Sequence, residues 1–292
     1  MLLGNLLICD NHHMPQVDEY IQALTTTYRM KIWSRFVKGL KEYQLLKPND
    51  HVCVCISGGK DSMIMAKLFQ TLLLHSDFDF KVTYLVMNPG YKPEVLDLIK
   101  HNLEVLNIPA IIEETNIFEI ANAQSKSPCF LCAKMRRGAL YNLAKKHGCN
   151  KIALGHHYDD VIETTLMNML NAGSFQTMLP KLHSTNYPGM ELIRPMYFIR
   201  EKDIIAFQNK FNLQFIQCAC SFTEAIHGED PELISRRLET KMLIKQLLKT
   251  NPQVEKNIFK SASNVTLDMI LGYKNKGEFH SFLETYDENE DN

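Results

Sequence analysis

The apolar run Val52-Cys53-Val54-Cys55-Ile56 leads directly into Ser57-Gly58-Gly59-Lys60-Asp61-Ser62, and a helix-like stretch begins near Met63. A strand of this kind delivers the chain to a tight turn. Glycines there let backbone N–H groups approach an anion closely, and the following helix aims its N-terminal dipole at the same point. The segment reads as a phosphate cradle. It lacks the GxxxxGK[ST] spacing of a Walker A loop and the GxGxxG of a dinucleotide-binding turn, so neither kinase-type phosphoryl transfer nor hydride transfer follows from it.

The surrounding pattern extends this unit into a sheet. Strand-like runs at His51–Ile56, Lys81–Met87, Ala110–Glu114, Lys151–Leu154 and Leu192–Arg194 alternate with helix-like stretches at 62–75, 92–106, 134–147, 159–171 and 201–211. Regular alternation predicts an α/β fold, a Rossmann-like parallel sheet with helices on both faces, and ligands beyond the carboxyl ends of its strands. Residues 17–46 read as a helix, and the last third as helices over 232–249 and 253–266 bounded by Pro231 and Pro252. Gly173–Pro188 is rich in turn formers and reads as a loop. The expected organisation is an N-terminal helical extension (1–46), an α/β domain carrying the phosphate cradle (47–221) and a helical C-terminal region with an acidic tail (222–292).

Composition narrows the setting. With 292 residues and 45% hydrophobic content the chain is able to bury a full core, and a net charge of −1 excludes a global basic field. Nucleic-acid contact then has to come from local clusters: Lys134, Arg136, Arg137, Lys145 and Lys146, or Arg236, Arg237, Lys241, Lys245 and Lys249. Either cluster taken alone also fits a solvated helix face. No apolar run approaches the roughly 20 residues needed to span a bilayer, and Met1–Cys9 lacks a basic n-region and cleavage site. The expectation is a cytoplasmic protein without a membrane partner. In a reducing compartment, its eight cysteines favour metal binding or catalysis over disulfides.

Cys129-Phe130-Leu131-Cys132 is a CxxC followed at once by Lys134, Arg136 and Arg137. Alone it fits a redox pair, half of a zinc site or part of an iron–sulfur site. Cys218 and Cys220 are able to supply a third thiolate or to complete a zinc site. Cys53 and Cys55 alternate along the first strand as small buried hydrophobes, and Cys9, Cys149, His12 and His13 show no patterned partners. The third motif, Gly155-His156-His157-Tyr158-Asp159-Asp160, follows the fourth strand and opens a helix. Its aspartates suit Mg²⁺ or nucleotide contact, and suit a helix N-cap equally well.

SGGKDS, PCxxC with Arg136-Arg137-Gly138, the KIALGHHxDD run from Lys151 to Asp160, Ile193-Arg194-Pro195 and Arg200-Glu201-Lys202-Asp203 occur in the order seen in the tRNA 2-thiocytidine biosynthesis (TtcA) family. Over residues 33–221 the chain resembles that family, a branch of the PP-loop ATPases. The resemblance implies an ATP-dependent tRNA sulfurtransferase forming AMP and pyrophosphate. ATP adenylates the C2 oxygen of a tRNA pyrimidine, cytidine in the family, and sulfur held by a three-cysteine [4Fe–4S] cluster replaces AMP.

Carried onto this chain, Ser57, Gly58, Gly59, Lys60, Asp61 and Ser62 cradle pyrophosphate, and Met87, Gly155, His156 and Asp160 complete the ATP and Mg²⁺ site. Lys60, Asp61, Asp160 and Arg136 are the expected catalytic residues. Cys129 and Cys132 are two cluster ligands, and Cys220 or Cys218 is the third, because Cys218-Ala219-Cys220 departs from the family's CxxC-like segment there. The implied partners are tRNA and a sulfur donor such as a cysteine desulfurase or free sulfide, with room for a homodimer. Competing readings are a PP-loop enzyme thiolating or amidating another RNA position or a small molecule, a non-catalytic nucleotide and metal-binding regulator, and a zinc-stabilised binding module.

Overall fold

The computed structural model describes residues 18–124, 128–216 and 236–286. The chain divides into two compact units, Met1–Tyr158 with Pro180–Glu229, and Asp159–Leu179 with Asp230–Asn292.

The first unit is built on a six-stranded sheet of β1 (His51–Ile56), β2 (Lys81–Asn88), β3 (Ala110–Glu114), β4 (Lys151–Ala153), β5 (Lys181–His183) and β6 (Glu191–Ile193), in the order β3-β2-β1-β4-β6-β5. All neighbours run parallel except β5, which pairs antiparallel with β6. From β1 the chain builds outward through β2 to β3 and then returns to β4 on the other side. The strand order therefore reverses between β1 and β4, and a crevice opens at such a switch point beyond the carboxyl ends of the strands.

Helices α3 (Lys60–His75), α4 (Pro93–Val105), α5 (Ile117–Gln124), α6 (Pro128–Lys146) and α8 (Glu201–Lys210) accompany the sheet, and α1 (Glu19–Thr25) and α2 (Ser34–Glu42) precede it. Val52, Val54 and Ile56 belong to a large core shared with Phe36, Met63, Phe69, Ile99 and Phe207. The intervening Cys53 and Cys55 belong to a second core with Leu85, Tyr141, Ala144 and Ile152. Alternate residues of one strand thus enter two cores, as a sheet covered on both faces requires. Cys149 joins Cys53 in the second core. Their shared hydrogen bond and burial push the Cys149 thiol well above the usual range, so the cysteine expected to have no partner is a packed neighbour of β1.

The stretch expected as one helix over 17–46 is broken into α1, a π-helical turn at Arg29–Trp33 and α2. The reason is Thr25-Thr26-Thr27. The hydroxyls of Thr25 and Thr26 donate back to Ile21 O and Gln22 O at 2.9 and 2.7 Å, and back-bonding β-branched residues favour a helix end or bend. Asp18 caps α1 by accepting from Tyr20 N and Ile21 N, and it also pairs with the buried ammonium of Lys67 on α3.

The second unit contains α7 (Tyr158–Ala172, whose first residue belongs to the first unit), α9 (Arg236–Leu248), α10 (Val254–Ser261) and the hairpin β7 (Gly272–Asn275) with β8 (Glu278–Ser281). The hairpin stands in a region read from sequence as helical. Lys276 and Gly277, its two loop residues, both have positive φ, 49° and 92°, the geometry of a tight two-residue turn matched to strand twist. No described helix is long and apolar enough to cross a membrane.

Candidate active site

The turn at Ser57–Ser62 is closed by its own side chains. Ser62 Oγ accepts from Ser57 N at 3.1 Å and from Ser57 Oγ at 3.2 Å, and donates to Gly59 O at 2.9 Å. Three bonds to one buried hydroxyl fix the path from β1 into α3 before any ligand arrives. Gly58 has φ +87°, and a Cβ there would lie 2.7 Å from side-chain atoms of Ile216 and Ile99. Both backbone and space exclude another residue at that position.

Gly59 differs. It is the N-cap of α3 with an extended backbone, φ −77° and ψ 159°, and no side-chain cap bond. A Cβ there would meet nothing nearer than 3.6 Å. Neither fold nor strain demands glycine at this position, and without a side chain it leaves room for a group to approach the start of α3. The first N–H groups of α3 have no intrahelical acceptor and carry the positive end of its dipole. The residues present therefore fit a phosphate cradle.

Gly155, after β4, lies against the same turn. Its Cβ would come within 3.1–3.3 Å of backbone atoms of Asp61 and Ser62, so the β4 loop and the α3 start are packed backbone to backbone. His157, 5% exposed, brings Nε2 to 3.7 Å from Asp61 Oδ1. Lys60 Nζ lies 3.1 Å from Asp61 Oδ2 and 3.2 Å from Glu201 Oε1 at the start of α8. Burial works against the Lys60 ammonium, but the two carboxylates outweigh it and hold its pKa above the ordinary lysine value. Lys60 is a fixed cation beside the cradle throughout the physiological range.

Sequence reasoning singled out Ser57–Ser62 and Gly155, and the structure brings them together. It quoted His157 and Glu201 only within longer motifs and gave neither a role of its own. The signal available for Glu201 was an acid at a helix start, indistinguishable from a dipole-compensating first-turn residue. Met87 is buried near the carboxyl end of β2. His156 follows Gly155 in the loop after β4. Arg136 is half-buried on α6 and Lys134 exposed.

Asp160 belongs to the second unit, in the first turn of α7. Arg237 of α9 donates to Asp160 Oδ1 at 2.8 Å, and its other terminal nitrogen lies 3.4 Å from Thr164 Oγ1. This partner was not foreseen.

The CxxC lies in the first turn of α6, which starts at Pro128 rather than near 134 as the sequence pattern predicts. Pro at the first helical position is preorganised for a helix start. Cys129 and Cys132 occupy positions one turn apart in that helix. Cys132 is 6% exposed and belongs to the large core. Cys218 and Cys220 lie outside the described residues, as do Cys9, His12 and His13. Among the described residues no three His, Cys, Asp or Glu side chains are grouped to hold a metal ion.

A profile of the PP-loop domain matches residues 29–221. The tRNA-cytidine(32) 2-sulfurtransferase of Citrifermentans bemidjiense is 33% identical over 239 residues, covering 80% of this chain and 90% of the relative. The protein of the same name from Coxiella burnetii is 32% identical over 243 residues, covering 81% and 90%. Among solved structures, the U34-tRNA thiolase NcsA from Methanococcus maripaludis with its [4Fe–4S] cluster superposes with a TM-score of 0.61 at 21% identity, covering 79% of this chain and 76% of that one. That likeness shows the fold. With a self-closed SGGKDS turn at the switch point and full-length relatives of this kind, the chain belongs to the PP-loop domain family, in its tRNA 2-thiocytidine biosynthesis branch.

Proposed function

We propose that this chain is an ATP-dependent tRNA sulfurtransferase that adenylates the C2 oxygen of a cytidine and exchanges it for sulfur. The observation that carries the reading is the contrast between Gly58, whose Cβ would clash, and Gly59, whose Cβ would make only ordinary contacts of 3.6 Å and more at the start of α3. The relatives named for tRNA-cytidine sulfur transfer support cytidine as the base.

In this reading the first-turn N–H groups of α3 and the Gly58–Gly59 backbone receive the β- and γ-phosphates, while Lys60 offsets charge as pyrophosphate departs. The base oxygen forms a bond to the α-phosphorus as the bond to pyrophosphate breaks, leaving an adenylated O2 that departs from C2 within AMP as sulfur bonds to that carbon. Glu201 and Asp61 hold the Lys60 ammonium in place, and His157 braces Asp61 from the loop after β4. Asp160 is the proposed Mg²⁺ carboxylate, steadied by Arg237, and Arg136 a further cation for phosphate.

Cys129, Cys132 and one of Cys218 or Cys220 are the proposed cluster ligands. The donor set suits iron, three thiolates being enough to hold a cluster with one iron open. A [4Fe–4S] cluster held there would supply sulfur to the activated carbon. In the proposed organisation residues 47–221 carry catalysis, flanked by 1–46 and 222–292.

The test uses anaerobically purified protein, a tRNA transcript, ATP and sulfide. Cys132→Ala is expected to abolish thionucleoside formation while ATP binding, read by calorimetry, stays within about twofold of wild type. Loss of ATP binding together with thermal stability would make Cys132 a packing residue and remove it from the sulfur site.

A further inference from the structure

The second unit carries a charge asymmetry that the adenylation reading does not use. Between Arg236 and Lys260, seven Lys or Arg stand against two Glu in a chain whose net charge is −1. Thr240 and Ile244 turn the inner face of α9 into its packing. Arg237, Lys241 and Lys245 follow each other at four-residue intervals on another face, a ridge about 12 Å long at 1.5 Å per residue, and Lys249 follows in the turn just past the end of α9. Lys245, Lys249 and, on α10, Lys256 and Lys260 are exposed.

Arg237 is committed to Asp160 and Thr164. In the other basic cluster, on α6, Lys146 is held by both oxygens of Glu113 at 2.8 and 2.9 Å. With seven cations against two acids and Lys245, Lys249, Lys256 and Lys260 exposed, the strip on α9 and α10 is a candidate for contact with an anionic partner.

Exposed Leu238 and Met242 are interleaved with the cations of α9 rather than collected on an opposite face. A helix lying in a membrane surface needs an apolar face separated from its charged face. An RNA backbone instead presents phosphates, with sugars and bases between them, to a mixed surface.

We infer that Lys245, Lys249, Lys256 and Lys260 form a phosphate-binding strip for the tRNA substrate. This inference rests on the proposed tRNA reading. Contacts of this kind carry affinity and steer the substrate without reading its sequence.

The test is fluorescence anisotropy with an unmodified tRNA transcript across a KCl series, comparing wild type with the quadruple variant Lys245→Gln/Lys249→Gln/Lys256→Gln/Lys260→Gln. The variant is expected to lose about tenfold or more in affinity at moderate salt. Its log–log salt slope is expected to be shallower by about three, near one per phosphate contact removed. ATP affinity and melting temperature stay as in wild type. An unchanged slope, or a slope that falls only when Lys134, Arg137 and Lys145 are neutralised instead, overturns the strip while leaving tRNA as substrate. Wild-type protein that binds no tRNA removes both this inference and the reading beneath it. A variant that loses binding to phosphatidylserine vesicles but not to tRNA assigns the strip to a membrane surface and overturns it as well.

Discussion

Ser62 illustrates how one hydroxyl organises a binding loop. It lies in the first turn of α3 and reaches back to Ser57 N, Ser57 Oγ and Gly59 O, so the turn is preformed. Ser62→Ala removes all three bonds and leaves the Ser57 N–H without its acceptor. The expected cost is about 1–3 kcal/mol of stability by denaturant titration, the range for an orphaned buried polar group. ATP affinity is expected to fall about tenfold or more as the cradle loosens. Wild-type ATP affinity in this variant would mean that the turn does not hold the phosphates.

At the same scale, Lys60 makes a pH prediction. Its folded pKa is raised by Asp61 and Glu201 against burial. The stability it supplies is therefore fully present below the unfolded lysine value of about 10.4 and is lost as pH rises through the higher folded value. The stability gap between wild type and Glu201→Gln is expected to be flat from about pH 6 to 9 and to close at more alkaline pH. A gap that widens with alkalinity would contradict the pairing.

Glycines, serines and Lys60 were legible in the sequence because a six-residue motif after an apolar run has few other uses. Glu201, His157 and Arg237 were not. Glu201 and His157 reach the Ser57–Ser62 turn through α8 and the β4 loop from 95 to 144 residues along the chain, and Arg237 meets Asp160 only because α9 packs on α7; local sequence carries no record of such returns.

Among the elements, the link between α1 and α3 rests on Asp18. It caps α1 through Tyr20 N and Ile21 N, and pairs with Lys67, whose ammonium also donates to Gln70 Oε1 at 2.9 Å and Leu106 O at 2.6 Å. Lys67 is 1% exposed, and burial lowers its pKa despite Asp18. Asp18→Asn keeps a capping oxygen but strands the buried charge, at an expected cost of about 3 kcal/mol. Asp18→Ala should lose about 1 kcal/mol more with the cap. Equal losses in a urea titration would show that capping contributes nothing here.

Element type was readable wherever periodicity was long, as in β1, β2, α3 and α4. It failed at β5, where Lys181-Leu182-His183 is a three-residue edge strand with polar ends, a composition that guards an edge and looks like loop. It failed again at α5, and at the hairpin β7–β8, whose Lys276-Gly277 turn was hidden in a polar run.

For the molecule as a whole, the sheet order places the loops after β1 and β4 on either side of the switch point, and the cradle, Lys60 and His157 gather there. The fold class followed from β/α alternation because a parallel sheet needs a crossover helix between successive strands. The proposed metal centre was legible only as CxxC, since its remaining candidates, Cys218 and Cys220, lie about 90 residues further on, past β4, β5 and β6.

The proposed phosphate cradle lies in the first unit, and the basic residues of α9 and α10 lie in the second. Both serve a single claim, that the chain puts sulfur on a tRNA cytidine. The most direct measurement is mass spectrometry of nucleosides from total tRNA of cells lacking the protein, restored with wild type or with Cys132→Ala. Absence of 2-thiocytidine in the deletion strain, restored only by wild type, is the expected result. Unchanged 2-thiocytidine in the deletion strain would contradict the assignment.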